Sequence, residues 1–120
     1  MGLTKVTTKL TNMAHADRSF EAIFLVDTGA TDSMAPAEDL EKIGIPREGK
    51  MSYELADGSV KEYYFGLARI EFMGDVTAGR IIFGEQGIEP ILGVTALESV
   101  GILIDPASQT LKRLPAISLK

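Results

Sequence analysis

The chain has 120 residues, 45% of them hydrophobic, so it is long enough for one domain with a modest core. The lack of cysteine excludes disulfides, thiol catalysis and Cys-type zinc sites, and the single histidine, His15, argues against a multi-His metal site. The 12 basic and 17 acidic residues give a net charge of −5, which argues against nucleic acid or an anionic membrane as a partner. Carboxylates are therefore the leading candidates for any catalysis.

The first third of the chain predicts two strands and one short helix. Residues 2–10 are rich in Thr and Val and predict a strand, and residues 12–19 predict a polar turn. The apolar run 20–26 predicts a strand buried on both faces, which ends abruptly at Asp27. In residues 36–44, a proline, early acidic residues and a closing glycine predict a short helix.

Asp57-Gly58 is the clearest turn signal, because a two-residue type I′ hairpin turn needs positive φ at both central positions. Such a turn predicts three pairs of facing residues, which are Ala56 with Ser59, Leu55 with Val60, and Glu54 with Lys61. In this register Tyr53, Leu55 and Val60 lie on one face of the hairpin.

The second arm of this hairpin is predicted to continue towards Phe72. Its apolar residues change parity at Gly66, which predicts a bulge or a bend there. The remaining segments are a strand at 76–83, a loop at 84–89, a buried run at 90–93, a short helix at 95–100, a hairpin at 102–114 and an alternating tail at 115–120.

Two short segments of the chain are alike. Residues 40–45 read Leu-Glu-Lys-Ile-Gly-Ile, and residues 97–102 read Leu-Glu-Ser-Val-Gly-Ile. Each segment follows an apolar run that ends in glycine, and only the first run carries an aspartate. The likeness is either chance in a chain rich in Leu, Ile and Gly, or the sign of two related halves.

The strongest candidate for chemistry lies in residues 24–33, Phe-Leu-Val-Asp-Thr-Gly-Ala-Thr-Asp-Ser. A charged residue directly after a buried run is costly unless it is hydrogen-bonded or functional, and Asp27 has that position. Thr28 and Gly29 supply a hydroxyl group and a backbone that a partner can approach. Two interpretations are open here: Asp27 bonds its own turn, or it is a catalytic carboxylate.

The order of motifs resembles the retroviral-type aspartic proteases (retropepsins), and more closely their small cellular homologues in bacteria and archaea. The resemblance covers residues 3–114 and rests on Asp27-Thr28-Gly29-Ala30 after an apolar run, the hairpin at Asp57-Gly58, and Ile91-Leu92-Gly93 before a short helix. It implies a mainly β fold over the single domain 1–120. The expected architecture is a retropepsin-like closed β-barrel with a flap hairpin and one or two short helices.

The resemblance also implies a homodimer, because each such chain brings one Asp-Thr-Gly and two chains complete one active site. Asp27 from each subunit would activate a shared water, Thr28 would bond across the dimer axis, and Gly29 would accept from the substrate backbone. An extended peptide would lie against the groove and the flap, whose expected contact residues are Ala30, Asp32, Tyr53, Leu55, Asp57, Gly58 and Val60. No metal ion and no cofactor are expected.

Two positions depart from the viral pattern. Viral members usually carry an Asp directly after Asp-Thr-Gly-Ala and an Arg directly after the later glycine, and the two residues pair. This chain has Thr31 and Val94 there. Both partners are missing together, so no charge is left unpaired, but the contacts that stabilise the dimer must differ.

Two alternatives to an aspartic endopeptidase remain. One is a retropepsin-like dimeric module that binds peptides with weak or no turnover. The other is a phosphate-handling enzyme, because Asp-Thr-Gly-Ala-Thr loosely resembles loops of sugar kinases and Asp-based phosphatases, although those folds need far more residues. The start of the sequence lacks the apolar run of a signal peptide, and no stretch approaches the roughly 20 apolar residues of a membrane helix, so we expect a cytoplasmic protein.

Overall fold

The computed structural model describes residues 4–120, as nine strands and two short helices. In chain order these elements are β1 (Lys5–Thr11), β2 (Ser19–Asp27), β3 (Ser33–Pro36), α1 (Ala37–Lys42), β4 (Gly49–Glu54), β5 (Val60–Phe72), β6 (Asp75–Gly84), β7 (Ile91–Gly93), α2 (Val94–Ser99), β8 (Ile102–Asp105) and β9 (Thr110–Arg113). The predicted first strand begins at residue 2, so its first two residues lie outside the described part. Within that part, no helix is long and apolar enough to cross a membrane.

Six of the strands close into a barrel. They follow the order β1-β2-β7-β3-β6-β5, and β1 also pairs with β5, which joins the two ends. Closure leaves none of these six strands as an open edge. β4 continues the sheet beyond β5, and β8 pairs with β9 in a separate hairpin. The predicted mainly β fold, a closed barrel with a flap hairpin and one or two short helices, is confirmed, and the helices number two among the described residues.

The core fills the barrel, and its largest side chains include Phe24, Ile70, Ile81 and Leu92. β2 contributes alternate residues only, since Phe24 is buried whereas its neighbour Ile23 is 61% exposed. The prediction that this run is buried on both faces is therefore wrong. The strand pairs with antiparallel β1 and turns one face to solvent, the arrangement that gives one-sided burial.

β5 runs from the flap hairpin into the barrel without a bulge. Its pairing with β6 keeps one register throughout, so a bulge, one of the two alternatives predicted at Gly66, is wrong. The parity of the apolar residues changes because the surroundings of the strand change: Ala68 faces the barrel core, whereas Phe65 uses the opposite face. Glycine is needed at position 66 for lack of space, because a Cβ there would lie 2.6 Å from Cγ2 of Ile45.

The flap hairpin, formed by β4 and the start of β5, has another register than the predicted one. Glu54, not Leu55, faces Val60. The N–H of Leu55 donates to the carbonyl oxygen of Ser59 at 2.7 Å, so the turn has three residues rather than two. Val60 is therefore 68% exposed and does not share a face with Tyr53.

The side chain of Asp57 explains the longer turn. Its Oδ1 accepts from the N–H of Ser59 at 2.9 Å and from the Ser59 hydroxyl at 2.6 Å. Gly58 has a φ of 85°, whereas Asp57 lacks the positive φ that a type I′ turn needs at both central residues. A three-residue loop with glycine in the left-handed region satisfies these bonds, and a two-residue turn does not.

The two short helices end alike. The glycines that follow them, Gly44 and Gly101, have φ values of 74° and 72°. The leucine of each helix, Leu40 in α1 and Leu97 in α2, is buried in the core. The two similar sequence segments thus adopt matching structures.

Candidate active site

Asp27 is the last residue of β2 and lies beside β7. The two strands are parallel, and Asp27 pairs with Gly93 at the end of β7. The chain then turns, and the N–H of Gly29 donates to Oδ1 of Asp27 at 3.0 Å. Asp27 is half-buried, whereas Thr28 and Gly29 are exposed. The carboxylate is therefore oriented by its own turn and stays accessible, so the geometry is compatible with both interpretations of Asp27.

Backbone hydrogen bonds fasten the loop after Asp27 to the start of α2. The N–H of Val94 donates to the carbonyl oxygen of Ala30 at 2.8 Å, and the N–H of Thr95 donates to that of Thr31 at 3.1 Å. Thr31 and Val94, the two departures from the viral pattern, thus both take part through their backbones. The Asp-Thr-Gly-Ala and Ile-Leu-Gly motifs form one unit.

Gly93 has no room for a side chain. A Cβ would lie 2.6 Å from both the carbonyl carbon and the carbonyl oxygen of Asp32, and 2.8 Å from the carbonyl oxygen of Thr31. The N–H of Gly93 also donates to Oγ of the buried Ser33 at 2.9 Å. This close approach holds the two motifs together, and it requires glycine at the end of β7.

A cavity of about 1150 Å³ lies between this loop and the flap hairpin. Six of the predicted site residues line it, namely Asp27, Gly29, Ala30, Asp32, Tyr53 and Leu55. The other four do not. Thr28 lines a second cavity, Asp57 and Gly58 are at the exposed tip of the flap, and Val60 faces away because of the observed register.

Tyr53 joins the flap to the floor of the cavity. Its hydroxyl donates to Oδ2 of Asp32 at 2.7 Å. Burial, together with the hydrogen bond to the Asp32 carboxylate and the charge of that carboxylate, raises the pKa of Tyr53 to about 12. The flap strand β4 is therefore anchored to the loop that follows the Asp-Thr-Gly motif.

A second polar contact links the flap to the barrel. Lys61 on β5 forms an ion pair with Glu85, which follows β6, and the Tyr63 hydroxyl donates to the same carboxylate at 3.0 Å. The hydrogen bond from Lys61 holds the pKa of Glu85 below its usual value, and the bond to Glu85 raises the pKa of Lys61. Because Lys61 and Glu85 are exposed, solvent screens this attraction.

The charged residues on the cavity wall are three acids and one base, namely Asp27, Asp32, Glu54 and Arg80. Among residues 4–120, no salt bridge joins any of them to another residue within 4.0 Å. In the same range, no three Asp, Glu or His side chains lie close enough together to bind one metal ion.

Several cavity residues were not identified from the sequence, and they include Met34, Met51, Tyr63, Arg80 and Ile82. These residues share one property: each lies on a part of the barrel or of the flap that is turned towards Asp27. Alternation along β6 shows that Arg80 and Ile82 share a face. It does not show which face meets the cavity, because that depends on pairings between distant strands.

A smaller cavity of about 570 Å³ lies against Asp27 and Thr28. Apolar side chains from α2 and β8 contribute to its wall, among them Leu97 and Leu103. Leu103 is 38% exposed. The Asp-Thr-Gly loop therefore adjoins a partly apolar surface as well as the larger cavity.

Comparison with known proteins gives one family. A model of the family described as "gag-polyprotein putative aspartyl protease" matches residues 16–99, which is well over half of the chain. The matched range contains Asp27, the flap hairpin and the Ile-Leu-Gly segment. A search of individually curated proteins gave no match.

Proposed function

The chain belongs to the gag-polyprotein aspartyl protease family of retropepsin-like domains, and from this premise we propose that it is an aspartic endopeptidase that acts as a homodimer. The observation that carries the proposal is the position of Asp27. Its accessible carboxylate ends a barrel strand, is held beside Gly93, and opens on a cavity between the loop and the flap.

The chemistry follows from two carboxylates in contact. Two copies of Asp27 close together cannot both ionise easily, so the pair shares one proton and titrates as a unit. The ionised copy takes a proton from a water, which attacks the scissile carbonyl carbon. The protonated copy polarises the carbonyl oxygen, and a proton then reaches the leaving amine. No covalent intermediate with the enzyme is formed.

The homodimer is part of this proposal, because one chain supplies one Asp-Thr-Gly. Support comes from the surface beside Asp27, where exposed Thr28 adjoins the partly apolar second cavity. A second copy placed there would bring the two Asp27 carboxylates together and cover exposed apolar atoms of Leu103. Thr28 would then bond to the partner's loop.

The proposed substrate is an extended peptide. The larger cavity is wide enough for several side chains, and Met34, Ile82 and Ile91 give it apolar wall area. The flap hairpin lies over the same cavity, so it would exclude water once a peptide is in place. An extended chain between flap and loop can be held by main-chain hydrogen bonds, as in strand addition.

The substitution Asp27→Asn tests the proposal. The pure protein is incubated with a diverse peptide library, and new termini are identified by mass spectrometry. We expect the variant to lose at least about a hundredfold in cleavage rate, because it lacks the titrating pair. Asp17→Asn, at an exposed position outside the cavity, is the matched control and should cleave normally. Cleavage that persists in a correctly folded Asp27→Asn protein would rule out the mechanism.

The second candidate, a peptide-binding module with weak or no turnover, rests on one observation. Oδ1 of Asp27 accepts a hydrogen bond within its own turn, so the carboxylate has a structural role as well. The same library separates the two candidates. A binding module retains peptides but yields no new termini, whereas a protease yields them.

A further inference from the structure

Arg80 stands on the wall of the larger cavity, on the face of the sheet that meets the flap. It lies on β6 opposite Leu67 of β5, and its guanidinium carbon is 4.6 Å from the ring centroid of Phe65 on the same face. Stacking on an aromatic ring is a favourable arrangement for a guanidinium. Phe65 thus helps to orient the charged group along the cavity wall.

The guanidinium of Arg80 has no carboxylate partner among the described residues, since none lies within 4.0 Å of it. This contrasts with Arg69 on the neighbouring strand, which pairs with Glu71 at 3.6 Å. The nearby carboxylate of Asp32 instead accepts from Tyr53. One donor group, Nη1 of Arg80, contacts Sδ of Met51 on the flap strand. None of the Arg80 donors meets a carboxylate among residues 4–120.

The neighbouring groups place Arg80 close to the flap anchor. The positive charge of Arg80 opposes the rise in the pKa of Tyr53, which burial and Asp32 cause. Arg80 and Tyr53 also line the same cavity as Asp27. A peptide lying between the flap and the Asp-Thr-Gly loop would pass this cation.

We propose that Arg80 is a specificity-determining residue, which binds the carboxylate of an Asp or Glu side chain of the peptide. The inference rests on the proposed function, because it takes a peptide to be the occupant of the cavity. The physical reason is geometric: the planar guanidinium presents paired N–H groups that match the two oxygens of a carboxylate. A basic side chain at the same position would be repelled.

A homodimer would contain two copies of Arg80, related by its twofold axis. The acidic preference is then expected at two positions of the peptide, at equal distances on either side of the scissile bond. A preference on one side alone would be expected only if the two half-sites were unequal.

The test starts with a library of peptides blocked at both termini and randomised at every position. Sequences that bind to Asp27→Asn are enriched, which gives a peptide probe whether or not the wild type cleaves. Three peptides are then synthesised that differ only in Glu, Gln or Lys at the most acidic position, and their affinities are measured by calorimetry. We expect the Glu peptide to bind about five- to tenfold more tightly than the Gln peptide, with the difference shrinking as salt is added.

Variants combined with Asp27→Asn assign the preference to Arg80. Arg80→Gln should make the Glu and Gln peptides bind equally, and Arg80→Glu should favour the Lys peptide. Arg69→Gln and Arg69→Glu are the matched controls, because Arg69 is outside the cavity wall, and they should keep the preference for Glu. Circular dichroism checks that each variant is folded. If Arg80→Glu does not fold, Arg80→Gln by itself decides the test.

Two outcomes overturn the inference: equal binding of the Glu and Gln peptides by the chain with intact Arg80, or an unchanged preference in folded Arg80→Gln. Failure of the proposed function looks different. In that case the wild type binds the Glu peptide with the stated preference, yet produces no new termini from it.

Discussion

The hydroxyl of Tyr53, on the flap strand, donates a 2.7 Å hydrogen bond to Oδ2 of Asp32, in the loop that follows the Asp-Thr-Gly motif. This bond joins the flap strand to the floor of the larger cavity through two side chains. A peptide entering the cavity must pass beside it. Tyr53 and Asp32 thus contribute to holding the flap in place and to the wall of the groove.

The pKa of Tyr53 provides a direct test of this bond. Because the folded pKa is raised to about 12, the stabilisation is fully present below the ordinary tyrosine pKa and is lost as the pH rises through about 12. Asp32→Asn should lower that pKa, since it removes the negative charge while burial remains. Titration of the phenolate absorbance measures it, with Tyr53→Phe to assign the signal. Asp57→Asn, at the flap tip, should leave it unchanged.

Gly93→Ala should destabilise the protein by about 3 kcal/mol, because backbone atoms of Asp32 and Thr31 occupy the position of the new Cβ and cannot move aside cheaply. Gly79→Ala is the matched control on β6, where a Cβ would meet no atom within 4 Å. It should be neutral or stabilising by about 0.5 kcal/mol. Urea unfolding of both variants checks the prediction, and a tolerated Gly93→Ala would contradict it.

The contact of Glu85 with Lys61 and Tyr63 should depend on pH. Since the pKa of Glu85 is lowered in the folded protein, this contact contributes above the usual Glu pKa and is lost as the pH falls through the lowered value. Glu85→Ala should therefore modestly speed hydrogen exchange in the flap hairpin at neutral pH, and the wild type should approach the variant in acid. Glu89→Ala is the control. It removes a similar exposed ion pair, with Lys5, that includes no flap residue, and it should leave hydrogen exchange in the flap unchanged.

The proposed dimer should dissociate on dilution, and cleavage should then fall more steeply than the protein concentration. Leu103→Asp puts a charge on the partly apolar surface beside Thr28, so it should shift the equilibrium to monomers. Val76→Asp is the control at another exposed apolar position, 49% exposed and outside that cavity. Analytical ultracentrifugation measures the equilibrium. A wild-type monomer that cleaves peptides would contradict the proposal.

The sequence predicted most elements because their signals are local. The helix at Ala37–Lys42, the strand that ends at Asp27 and the last hairpin follow from prolines, glycines and apolar runs within a few residues. The prediction of the flap register was wrong for a local reason too. The side chain of Asp57 accepts hydrogen bonds from Ser59, and the turn is longer as a result. A prediction made from the types of the turn residues does not take such side-chain hydrogen bonds into account.

The sequence by itself identified the candidate carboxylate Asp27 and the two motifs that belong together. Only the tertiary structure decided that Gly93 packs against Asp32, that Tyr53 reaches Asp32, and that Arg80 stands on the cavity wall. These contacts depend on the pairing of strands distant in the chain, and on which face each strand turns inward. Alternation along one strand shows which residues share a face, but the choice of inward face is made by barrel closure.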